Sequence, residues 1–139
     1  MIGFTVLALV SGLVVSGLLT TSRTLSSSGS VRAINVEVYW DDLCTQVVSS
    51  VDWGVLDPGA VVERTVYVKN SGSVDMNLSM TCTNWVPVEA SVNITVAWDR
   101  EGASVGPGAV LPAVLTMTVS DGISGIVDFS FDIVIEGTG

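Results

Sequence analysis

The first 22 residues, MIGFTVLALVSGLVVSGLLTTS, contain no charged side chain. Nothing else in the chain restricts its folding and its location so strongly. As a helix rising 1.5 Å per residue, such a run is about 33 Å long, matching a bilayer hydrocarbon core of about 30 Å. A long N-terminal apolar α-helix is therefore expected over residues 1–24, as a filament core or a membrane anchor. Secretory signals usually carry a basic stretch ahead of the apolar run, and here Met1 opens it directly, so retention is favoured over removal. Within the run Ala8, Gly12, Ser16 and Thr20 recur every fourth residue, a row of small side chains that lets helix backbones approach closely.

Residues 22–30, SRTLSSSGS, hold five serines, one glycine and one arginine. That composition ends an apolar helix and predicts a Ser/Gly linker over residues 25–30. From residue 31 the hydropathy pattern changes to period two. Ile34, Val36, Val38 and Trp40 alternate with Ala33, Asn35, Glu37 and Tyr39, as a strand buried on one face requires. Further strands are expected at 46–55, 61–70, 75–83, 91–98, 114–120 and 125–135, separated by Asp-Pro-Gly, Asn-Ser-Gly and Gly-Pro-Gly turns. Seven short strands fit a two-sheet β-sandwich over residues 31–139, so the fold expected is mainly β.

Composition then excludes several kinds of chemistry. Five basic residues against 14 acidic ones give a net charge of -9, with no basic run able to follow a phosphate backbone, so nucleic acid is not an expected partner. The chain has no histidine, which removes the commonest general base and transition-metal ligand. No nucleophile with a partnering base and no cofactor fingerprint is recognisable, and a non-enzymatic role without cofactors is expected. Asp41, Asp42, Asp52 and Asp57 lie near early strand ends and carry the oxygen ligands calcium prefers, but in no fixed calcium-binding spacing. Trp40, Trp53, Trp85 and Trp98 are expected to fill the core or subunit contacts.

Two sequons, Asn77-Leu78-Ser79 and Asn93-Ile94-Thr95, make Asn77 and Asn93 candidate N-glycosylation sites, and strand alternation places both on polar faces. Cys44 and Cys82 are the only cysteines, with 37 residues between them. A Cys44–Cys82 disulfide, expected in an oxidising exterior, would constrain the unfolded chain by about 4 kcal/mol in the loop-entropy account.

The stretch LDPGAVVERTVYVKNSGSVDMNLSMT, residues 56–81, resembles immunoglobulin-like surface domains, in which a Pro-Gly turn leads into a strand ending at Asn-x-Gly. It is also similar to parts of the TasA and camelysin family of secreted fibre proteins. The wider arrangement of apolar N-terminal helix, Ser/Gly linker and β-sandwich resembles archaeal pilins of the type IV pilus and archaellum superfamily. The resemblance is to the processed form of such pilins, from which a peptidase has removed a short basic leader. It further implies a seven-stranded immunoglobulin-like antiparallel β-sandwich behind one long helix, and a structural subunit of an extracellular, pilus-like filament. The partners implied are copies of the same chain in a helical homopolymer, the membrane before assembly, and surfaces or other cells. Two alternatives stand beside it: a membrane-anchored extracytoplasmic adhesion module, and a camelysin-like secreted fibre joined by strand donation, with the segment from Val31 as donor.

Overall fold

The structure, a computed structural model, describes residues 25–139. The long helix expected over residues 1–24, and with it the row Ala8, Gly12, Ser16 and Thr20, lies outside the described residues. Nine strands follow in chain order: β1 (Leu25–Ile34), β2 (Glu37–Tyr39), β3 (Ser50–Leu56), β4 (Val61–Lys69), β5 (Met76–Val86), β6 (Ile94–Trp98), β7 (Ser104–Val105), β8 (Val110–Val119) and β9 (Asp128–Thr138). Among the described residues the one helix is the single turn α1 (Ala90–Asn93), between β5 and β6. The expectation of seven antiparallel strands behind a long helix is thus corrected to nine strands in two sheets, with no long helix in the described part.

One sheet has the order β3-β1-β9-β5-β7 and the other β2-β4-β8-β6. All neighbours run antiparallel except β1 and β9, which are parallel over nine register pairs from Ser26–Asp128 to Ile34–Glu136. The Ser/Gly stretch at 25–30 is therefore not a linker. It is the first half of a strand paired on both sides, with β3 as well as β9. Serine and glycine favour strands weakly, but two flanking ladders satisfy the backbone of β1 and override that preference.

The strand expected from residue 31 to 40 is also divided. Ile34 ends β1 in one sheet and Glu37 begins β2 in the other. Between them Asn35 adopts φ 64°, a left-handed conformation that asparagine tolerates better than most residues, and its side-chain amide donates to the Gly137 carbonyl at 3.1 Å. The inward positions shift by one residue there: in β1 the odd-numbered side chains face the core, and beyond Asn35 the buried ones are Val36 and Val38.

Core residues follow the pleat. Ala113, Leu115, Met117 and Val119 of β8 and Phe129, Phe131, Ile133 and Ile135 of β9 point inward from opposite sheets. Trp53 of β3 and Leu78 of β5 complete the largest buried side chains beside them. Trp85 stacks on Phe131 with ring centroids 4.3 Å apart and planes 9° apart, closing the core beside the irregular end of β5, where the register with β9 shifts between Thr83 and Val86. Among the described residues one polar residue is fully enclosed: Asn70, just past the end of β4. Its amide donates to the carbonyls of Val74 (2.7 Å) and Val105 (2.9 Å), and its side-chain oxygen accepts from the Gly72 N–H at 2.9 Å. Asn-Ser-Gly is thus a turn stapled to the β7 strand as well as to itself.

Candidate functional site

The functional question rests on how the apolar segment meets the body. Leu25, the first described residue, is 1% exposed, opposite Leu56 of β3, and belongs to the core cluster. Ser26 donates its N–H to the Val127 carbonyl at 3.1 Å and lies opposite Asp128. Leu25 therefore already belongs to a central strand.

β1 is an unusual central strand. A Cβ at Gly29 would meet Phe131 and Ile133 at 3.5 Å and Trp53 at 3.6 Å, ordinary van der Waals distances, so the inner face of β1 has room for a small side chain there. The Ser27 hydroxyl and the Trp53 indole nitrogen are buried without hydrogen-bond partners. On the outer face a shallow cleft of about 310 Å³ lies over the same strand, lined by Ser26, Ser28, Val86, Asp128 and Ser130 among others. A second, of about 200 Å³, is lined by Ser30, Arg32, Thr83, Asn84, Asp132 and Val134, and Asn84 donates to the Asp132 carboxylate at 2.7 Å. Hydroxyls line both clefts, with Val86 and Asp128 at the rim of the first and Val134 and Asp132 in the second.

The residues singled out from the sequence are scattered. Asn77 is exposed on β5, opposite Ser104 and Thr138. Asn93 is half-buried at the end of α1 rather than inside a strand, with its carbonyl accepting from the Ser120 N–H. The two sequons thus present different accessibility, and Asn77 is the more open.

The expected Cys44–Cys82 bridge is not formed, since both thiols are free. Cys82 lies on β5 in the five-stranded sheet, opposite Ile133, and packs against the core. Cys44 occupies the connection between β2 and β3 at φ 60°, with its sulfur 3.8 Å from the Asp42 carbonyl oxygen. Burial pushes the Cys82 thiol up to about 11.

The four aspartates do not converge either. Among the described residues no group of three His, Cys, Asp or Glu side chains is placed to hold a metal ion. Asp41 instead closes its own loop: its carboxylate accepts from the Thr45 hydroxyl and from the N–H groups of Thr45 and Gln46, which together hold it below the usual carboxylate range. Asp52 accepts from the Gly54 N–H. The tryptophans are core material or its edge: Trp53 is 1% exposed with Arg64 5.7 Å over its ring, and the Trp98 indole donates to Glu101 at 2.8 Å. Sequence reasoning missed Asn70 and the packing role of Gly137, although the Asn-Ser-Gly turn signal was visible. No family model matches the chain, and no curated protein matches it.

Proposed function

We infer that the protein is a structural subunit of an extracellular filament, in which the uncharged segment of residues 1–22 drives association and the β-sandwich forms the outer surface. The observation that supports this reading is how soon the body begins: β1 starts at Leu25, three residues after the uncharged run ends at residue 22 in the sequence. A tethered adhesion module works with a flexible spacer, whereas a subunit of a regular polymer needs its association segment held in a fixed relation to its body. Here Leu25 is already core and β1 is paired on both sides. Charge agrees with the division of labour: residues 25–139 carry four basic against fourteen acidic side chains, a net of 4 - 14 = -10, so the bodies repel and stay soluble while the uncharged segment associates.

A second reading, a secreted fibre joined by strand donation, draws support from the small side chains of β1, with Ser27 and Gly29 on its inner face and the Ser27 hydroxyl buried without a partner.

Mass spectrometry of sheared, purified surface filaments separates the readings. A subunit whose terminal peptide begins at Met1 supports assembly through the apolar segment. A start near Val31 removes the first half of β1 and leaves a gap between β3 and β9 for a neighbour's strand, which favours donation. Absence of the chain from filaments overturns both and favours a membrane-anchored module.

A further inference from the structure

Six of the nine large hydrophobic residues exposed on the described surface stand at one end of the sandwich: Val55, Val61, Val86, Val88, Val92 and Val127. The strand register places them together. Val55 is opposite Ser26, whose N–H meets the Val127 carbonyl, and Val86 is opposite Ser130, itself opposite Ser28. Val88 and Val92 flank the α1 turn that leads into Ile94, and Ile94 lies opposite Val119 on β8, next to Thr118, the partner of Val61. This is the end at which residue 24 joins β1. Their exposures run from 62% for Val61 to 84% for Val92, and single exposed valines are ordinary, but a ring of them around one chain junction is not.

Arg64 reaches this level of the sheet, where its side chain donates to the Asp52 carbonyl opposite Ser28, but the turns at the tip carry one sign. The rim segments 54–61, 86–93 and 119–128 contain Asp57, Glu89, Asp121 and Asp128 and no lysine or arginine. Such a rim is repelled by anionic lipid headgroups and suits an apolar partner that brings a cation. The 24 residues that join here supply both properties, since 1–22 are uncharged and Arg23 is their single charge. The valines come from both sheets and from the turns that flank the first residue of β1.

We propose that this valine ring is the seat for the N-terminal apolar segment of a neighbouring copy, with that copy's Arg23 facing the acidic residues of the rim. The proposal rests on the filament reading and names the contact that couples body to core in it. Each subunit then holds its neighbour twice, through the segment and through the ring.

The test is photo-crosslinking in the full chain. Copies labelled with a heavy isotope carry benzoylphenylalanine at position 92 and are assembled with light, unmodified copies. The expected product joins heavy position 92 to a light peptide from residues 1–22. Links from position 92 to same-isotope segments alone, to sandwich peptides alone, to lipid alone, or to nothing within a polymer overturn the seat. Polymer that forms with such other links leaves the filament reading standing, whereas a wild-type chain that never pellets as polymer sinks both. The double variant Val88→Asp, Val92→Asp provides the second readout: both positions are exposed, so circular dichroism should report an intact sandwich while polymer yield falls by about tenfold, as a charge forced into an apolar contact demands. Unchanged yield from the folded variant overturns the proposal.

Discussion

Val36 occupies the space that a side chain on Gly137 would need: a Cβ built at residue 137 stands 2.7 Å from the Val36 Cγ1 and 3.2 Å from the Met76 Cβ. Asn35 seals the same crossing by donating to the Gly137 carbonyl. The passage from β1 to β2 over the end of β9 therefore depends on a glycine whose importance is steric rather than conformational. Gly137→Ala should force Val36 out of a pocket in which it is 6% exposed and destabilise the sandwich by about 1–3 kcal/mol. The midpoint of urea unfolding measures this. A double variant with Val36→Ala should recover part of the loss, since it removes the clashing methyl groups, and failure of any such recovery would show the clash is not the cause.

Asn70 holds three backbone groups, two in its own turn and one on β7. Asn70→Ala leaves the Val74 and Val105 carbonyls and the Gly72 N–H short of partners, at a cost of about 3 kcal/mol. Asn70→Asp keeps the acceptor for Gly72 but loses both donors and buries a charge, so it should be at least as damaging. Equal stability of wild type and Asn70→Asp, measured by thermal unfolding, would contradict this assignment.

The two free thiols should react in sequence. Cys82 is held as the neutral thiol by burial, with its ionisation raised to about 11, so at pH 8 its thiolate fraction is very small. An alkylating reagent at pH 8 should modify Cys44 while leaving Cys82 intact until denaturant is added, as peptide mapping can report. Modification of Cys82 as fast as Cys44 in the folded chain would show that β5 opens readily.

Much of the body was legible in the sequence, for identifiable reasons. β4, β8 and β9 announce themselves because their apolar residues alternate and Pro-Gly or Gly-containing turns bound them. β1 was hidden because its outward positions, Ser26, Ser28 and Ser30, and its inward Ser27 and Gly29 read as linker, and only pairing with two neighbours makes them strand. The change of sheet at Asn35 was hidden for the opposite reason: Ile34, Val36 and Val38 keep one unbroken alternation across it, and a left-handed residue leaves no mark on hydropathy. Cysteine spacing could not reveal that Cys44 and Cys82 belong to different parts of the sandwich. The valine ring was equally illegible, because its members are far apart in the chain and meet only through register.

Tyr39 and Glu37 form a pH-sensitive pair on the described surface. The Tyr39 hydroxyl donates to the Glu37 carboxylate at 2.6 Å, two residues away on the same face of β2. That bond, more than any other influence, raises the Tyr39 phenol from 10.0 to about 12 and lowers the Glu37 carboxyl. The signs are opposite in their consequences. Tyr39 is raised in the fold, so its contribution is complete below its unfolded value and is lost as pH climbs through about 12; Glu37 is lowered, so its contribution is present above its unfolded value and fades as pH falls through the folded one. Both groups lie at the solvent surface, so the effect belongs in a titration rather than in overall stability. Absorbance near 295 nm, taken as the difference between wild type and Tyr39→Phe, should show a phenol titrating near pH 12, and Glu37→Gln should bring it down towards 10. A Tyr39 titration that Glu37→Gln leaves unmoved would mean that the carboxylate is not what holds the proton.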